Sequence, residues 1–63
     1  MDILDILVDI RKQKKIRQIN LAIFLKVNTL TISRYENKKR KMPYDMLIKY
    51  ADFLGYELKL QIQ

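Results

Sequence analysis

The sequence predicts a mainly all-α domain of four short helices with a short strand at its C-terminal end. Three observations carry this. Apolar residues recur at helical spacing over four stretches, about 2–13, 18–25, 29–37 and 43–54. Residues suited to helix ends, Asp2, Asn28, Pro43 and Gly55, punctuate those stretches. Beyond Gly55 the apolar period changes from helical to alternating.

The first stretch sets Ile3, Leu7 and Ile10 on one stripe, widened by Leu4, Ile6 and Val8. Asp2 suits its N-cap, Asp5 the positive end of the helix dipole, and Arg11, Lys12, Lys14 and Lys15 the negative end. In the second helix Leu21, Ala22, Phe24 and Leu25 supply the apolar face, and Arg17 and Gln18 stand at its start. Asn28 is a good N-cap for the third helix, where Ile32 and Tyr35, three apart, face one way. Leu30 is ambiguous between core and surface, and Thr29, Thr31, Ser33 and Arg34 fall to the other faces. Lys38, Lys39, Arg40 and Lys41 form a basic loop. Pro43 fits the first turn of the fourth helix, Leu47, Tyr50, Ala51 and Leu54 its buried stripe, and Gly55 its C-terminal cap.

In the tail, about 56–62, Tyr56, Leu58, Leu60 and Ile62 alternate with polar residues, as in a strand with one apolar face. A lone strand cannot satisfy its own backbone, and no second strand is offered. The simplest partner is the same strand of another copy across a two-fold axis. Continuation of the last helix, or a frayed end, is the alternative.

At 63 residues the chain is read as one domain, 1–63. A fold of this size buries only about 60% of its unfolded surface, so association is a common aid to stability. There is no cysteine and no histidine. Disulfides, thiolate metal sites and the usual general base are therefore excluded, no carboxylate pair or glycine-rich phosphate loop stands in, and the expectation is a protein that is not an enzyme. No cofactor, metal or small-molecule ligand is expected. No apolar run reaches the ~20 residues of a membrane span. The start, MDILDILVDI, is acidic rather than the basic opening of a signal peptide. The expected location is the cytoplasm. Net charge is +6, and residues 11–41 hold eleven Lys/Arg against Glu36 alone. Such a concentration predicts a polyanionic partner, nucleic acid before anionic membrane.

The helices at 18–25 and 29–37, joined by a tight turn and flanked by others, make a helix-turn-helix layout. The stretch IRQINLAIFLKVNTLTISRYENKKRKMPYDMLIKYADFLGYEL also resembles the Cro/repressor-like helix-turn-helix domains of the XRE family. That family's usual form runs Thr-Gln-x-x-Leu-Ala, Leu-Gly-Val-Ser, Thr-Ile-Ser-Arg-x-Glu, then Leu-x-Lys-x-Ala-x-x-Leu-Gly. The chain keeps Gln18, Leu21, Ala22, Leu25, Val27, Thr31, Ile32, Ser33, Arg34, Glu36, Leu47, Lys49, Ala51, Leu54 and Gly55. The resemblance covers residues 11–57 at least and implies a lambda-repressor-like fold. Lys26 stands where the family has its turn glycine, Arg17 replaces a capping hydroxyl, and Lys38 replaces a glycine common after the third helix. A lysine at 26 must accept left-handed backbone at a cost of about 1 kcal/mol or more, or the turn differs. The tail is similar to the dimerising strand of HipB-type antitoxins.

The resemblance implies that the third helix enters the DNA major groove with its N-terminal end foremost. Asn28, Thr29, Leu30, Ser33 and Arg34 are then the candidates for base edges. Arg34 is the first choice for a bidentate contact to guanine, and Thr29 or Leu30 can pack on a thymine methyl. An Arg34 paired only with phosphate or with an acid remains the alternative. Thr31 can reach phosphate or support the turn. Gln18 resembles the family's phosphate-binding glutamine, with Arg17 beside it and Lys38, Lys39, Arg40 and Lys41 along the backbone next to the groove. Glu36 would repel phosphate and reads as a structural partner.

The leading reading is a homodimeric repressor of double-stranded DNA, binding an inverted repeat with half-sites ~34 Å apart. The second is an antitoxin that binds a toxin protein and represses its own operon. Non-specific binding to RNA or membrane fits less well. Tyr35 and Tyr50 sit at core spacing rather than as stacking platforms, and the helical pattern breaks at 26–28.

Overall fold

The helices form where the apolar periodicity places them: α1 (Ile3–Gln13), α2 (Gln18–Leu25), α3 (Thr29–Glu36) and α4 (Tyr44–Leu54). The computed structural model describes residues 2–58, so Leu60 and Ile62 of the predicted strand lie outside the described residues. Residues 56–58 carry no regular secondary structure. Tyr56 is exposed, and Leu58 is partly buried against the core.

Three helix ends differ from expectation by one residue and the others agree. α1 begins at Ile3, and Asp2 is its N-cap as expected, its carboxylate accepting the Asp5 N–H at 2.9 Å. Asn37 is the C-cap of α3. Pro43 is the N-cap of α4 and not part of its first turn: ψ is extended at 152°, and its carbonyl accepts the N–H groups of Met46 and Leu47 at 3.1 Å each.

All four helices end the same way. The chain passes through a residue of positive φ at Lys15 (58°), Lys26 (61°), Lys38 (63°) and Gly55 (91°). The next N–H then reaches five residues back into the helix. Ile16 bonds to Arg11 at 3.1 Å, Val27 to Ala22 at 3.0 Å, Lys39 to Arg34 at 2.9 Å and Tyr56 to Ala51 at 2.9 Å. A second bond closes each motif from the left-handed residue itself, as between Lys26 N–H and Ile23 carbonyl at 3.3 Å. This pattern satisfies helix carbonyls that would otherwise lack donors. Lys26 thus keeps the helix-turn-helix turn in its left-handed form without glycine.

α2 packs on α3 and α4, and α1 lies against α4 and α3. Leu21, Ile32, Tyr50, Ala22 and Ala51 are the most enclosed residues, joined by Leu4, Leu7, Leu25, Tyr35, Met42 and Leu54. Three expectations shift. The buried stripe of α1 is Leu4, Leu7 and Arg11, not Ile3, Leu7 and Ile10; Ile3 and Ile6 are exposed. Phe24 is half exposed and stacks on Phe53 with ring centroids 5.0 Å apart. Leu30, left open by the sequence, is exposed at 56%. Among the described residues no helix is long and apolar enough to cross a membrane.

The left-handed caps give a direct check. Lys26→Gly is expected to raise stability by about 1 kcal/mol in urea unfolding, since only the lysine carries the steric cost of that backbone. Gly55→Ala is expected to lower it by about as much. A Cβ at Gly55 would meet nothing within 4 Å, so that loss reports the backbone alone.

Candidate nucleic-acid interface

One carboxylate organises the site. Glu36, near the end of α3, accepts a hydrogen bond from each of the other three helices. From α1, Arg11 donates Nε to Oε2 at 3.0 Å and Nη2 to Oε1 at 2.8 Å. From α2, Gln18 donates Nε2 to Oε1 at 2.9 Å, and from α4 the Tyr50 hydroxyl donates to Oε2 at 2.7 Å. The remaining side of the guanidinium is used too: Arg11 Nη1 donates to the Ile16 carbonyl at 2.7 Å. The Arg11 and Glu36 side chains are 8% and 5% exposed, so both charges have left water. Among the described residues no buried side-chain polar atom lacks a partner.

Burial alone would raise the Glu36 carboxyl, but hydrogen bonds from Arg11, Gln18 and Tyr50, with the charge of Arg11, outweigh it and hold the group below its ordinary value. Burial likewise opposes the charge on Arg11, and Glu36 more than restores it. Tyr50 is pushed up by burial and then by the neighbouring carboxylate, so its hydroxyl stays a donor.

This arrangement corrects the sequence reading of Arg11 and gives Gln18 a partner within the fold. Arg11 is a core residue rather than a surface partner of the helix dipole. The signal was present, because Leu4, Leu7 and Arg11 recur at helical spacing. Gln18, set against phosphate by resemblance, has its amide nitrogen on Glu36, which fixes it at the first position of α2.

α3 presents two faces. Ile32 and Tyr35 are buried, as their spacing predicts, while Leu30 and Arg34 are exposed and Thr29 and Ser33 are half-buried. Asn28 caps the helix: its Oδ1 accepts the Thr31 N–H at 2.7 Å and the Thr31 hydroxyl at 2.8 Å. In the free chain the Thr31 hydroxyl bonds within this cap. Asn28 keeps its NH2 group for another acceptor. Ser33 Oγ accepts from Asn37 Nδ2 at 3.2 Å, leaving the hydroxyl proton to point elsewhere. No acid of their own occupies the first turn of α2 or of α3, although Glu36 lies against Gln18 at the start of α2.

The basic loop divides. Lys38 bonds Asp2 and lies 3.1 Å from Asp5, tying the cap of α3 to the start of α1. The hydrogen bond to Asp2 raises the Lys38 ammonium and lowers the Asp2 carboxyl. The pair is exposed, and such pairs add little stability. Its consequence is that Lys38, expected at phosphate, is already engaged. Lys39, Arg40 and Lys41 are exposed and take no part in the ion pairs of the described residues.

A family model described as helix-turn-helix matches residues 7–61, which is most of the chain. No curated protein and no solved structure matches it significantly.

The Glu36 network is testable through stability. Tyr50→Phe removes one donor with little change in volume and is expected to cost about 2 kcal/mol, as for a bond to a charged acceptor. Because the folded Glu36 carboxyl lies below its ordinary 4.5, its stabilisation is complete above that pH and is lost as pH falls through the folded value. Urea midpoints measured downward from about pH 4.5 are expected to fall in the wild type.

Proposed function

Since this chain belongs to the Cro/C1-type helix-turn-helix family of DNA-binding regulators, we propose that it is a homodimeric repressor reading an inverted repeat with α3 in the major groove. The observation that carries this is the division of α3 into a face bolted to the core by Ile32 and Tyr35 and an outward edge free of acids. Asn28, Thr29, Leu30, Ser33 and Arg34 supply that edge. Arg34 presents a planar fork suited to guanine O6 and N7, and Leu30 an apolar tip suited to a thymine methyl.

Phosphates would be held at two flanks. At the start of α2, Gln18 carries two amide protons; one is committed to Glu36, and the second serves a phosphate together with the helix N–H groups and Arg17. At the other flank Lys39, Arg40 and Lys41 follow α3, with Lys38 held back by Asp2 and Asp5. The two-fold contact rests on the alternation of Tyr56, Leu58, Leu60 and Ile62. The antitoxin reading keeps the same DNA edge and adds a toxin partner. The apolar side chains of Ile19 and Ile23, 42% and 69% exposed on α2, favour a protein contact of that kind. Co-purification of a second protein distinguishes it.

Arg34→Ala is expected to cost about 1–3 kcal/mol on the preferred operator and much less on random duplex. Equal losses on both would remove Arg34 as a reader. Deleting residues 56–63 is expected to give monomers by sedimentation, and a truncated chain that still dimerises contradicts the strand contact.

A further inference from the structure

We propose that the groove between the start of α1 and the loop before α4 binds a free amphiphilic carboxylate, an apolar chain with one anionic head. The site stands independently of the DNA-binding reading above. Its consequence for DNA rests on that reading.

The groove encloses about 610 Å³. Small-molecule sites span roughly 300–1,000 Å³ and are mostly apolar, with a few placed polar groups. The apolar lining here is Ile3, Leu4, Ile6, Met42 and Leu47. Leu4 and Met42 are buried members of the core, so the floor is held by the fold. Ile3 and Ile6, three apart on one face of α1, remain 41% and 47% exposed. They belong to the apolar stripe of α1, yet the core does not use them. Apolar surface left in water at the edge of a concave floor gains by being covered.

Charge decides what covers it. Lys38 and Asp2 line the groove, and they are bonded to each other. Arg40 and Lys41 line it too, are exposed, and take no part in the ion pairs of the described residues. The rim therefore keeps two unmatched positive charges beside an apolar floor. The complement is an apolar body ending in an anion, and the Arg40 fork can donate to both oxygens of a carboxylate. Length favours a small molecule over a partner helix. On α1 the lining runs only from Asp2 to Ile6, little more than one turn. A docked amphipathic helix anchors at positions spread over about two turns. Arg40 and Lys41 are also among the cations assigned above to DNA phosphate. A carboxylate at the rim withdraws them from DNA.

The probe is decanoate, with decyltrimethylammonium as a control of equal chain and opposite charge, both kept monomeric. Binding is read from the NMR shifts of the side-chain methyl groups of the full chain. Decanoate is expected to saturate one site and to move Ile3, Ile6, Met42 and Leu47. The cation is expected to bind about tenfold more weakly. Arg40→Gln combined with Lys41→Gln is expected to erase that difference with Tm unchanged, since both side chains are exposed. Saturating decanoate is expected to weaken binding of a random-sequence duplex in fluorescence anisotropy. Absence of saturable binding overturns the proposal, as do equal binding of both probes and shifts centred on Ile19 and Ile23. The same methyl shifts produced by raising protein concentration alone assign the groove to a second copy and overturn it too. Decanoate that binds without weakening the duplex overturns the competition. A chain with no affinity for any duplex overturns the DNA-binding reading and leaves the carboxylate site standing.

Discussion

A buried carboxylate cannot stand alone, and the position of every helix here answers to that constraint. Glu36 has lost its water and is met by Arg11, Gln18 and Tyr50, one from each of the other helices. A network of this kind contributes less net stability than an apolar cluster of similar volume. Its effect is on alternatives: any arrangement that moves one helix leaves a charge or a hydroxyl without a partner, at a cost of several kcal/mol. In a chain of 63 residues, with little apolar surface to bury, that penalty fixes the geometry the small core leaves open.

The same constraint connects fold to proposed function. Glu36 lies on α3, so the helix assigned to the major groove is held at its rear by the network while Ile32 and Tyr35 hold its inner face. Gln18, at the start of α2, is aligned by the same carboxylate. The outward edge of α3 and the start of α2, the two parts proposed to meet DNA, are therefore set relative to each other by shared bonds. Preorganisation of this kind lowers the ordering cost of docking on a duplex.

Much of this was legible in the chain. Helical periodicity located all four helices within a residue at each end; capping residues agree with the apolar spacing at α1, α3 and α4, while α2 rests on its apolar face alone. Ile32 and Tyr35 as core, Gly55 as a left-handed cap and Glu36 as a structural partner follow from local rules. What escaped depends on residues far along the chain. Lys38 meets Asp2 and Asp5 across the fold, and Gln18 meets Glu36, so no local pattern reveals that either is engaged. Arg11 escaped for a different reason. Its spacing from Leu4 and Leu7 marks it as inward, but a charged residue at a helix end also satisfies the dipole, and the local reading was sufficient by itself. The left-handed lysine at 15 was hidden because lysine carries no sequence mark of that backbone, whereas at 26 and 38 the glycine of the resembling family marks the position. Nothing in the structure explains a lysine at 26.

The proposed function requires that the outward edge of α3 read a DNA sequence as one half of a two-fold pair. Selection of bound fragments from a random duplex library, at near-physiological salt, tests it most directly. An enriched inverted repeat is expected, with half-site centres one helical turn, ~34 Å, apart. Recovery of fragments with no shared sequence would contradict it, leaving a fold that holds DNA by its phosphates alone.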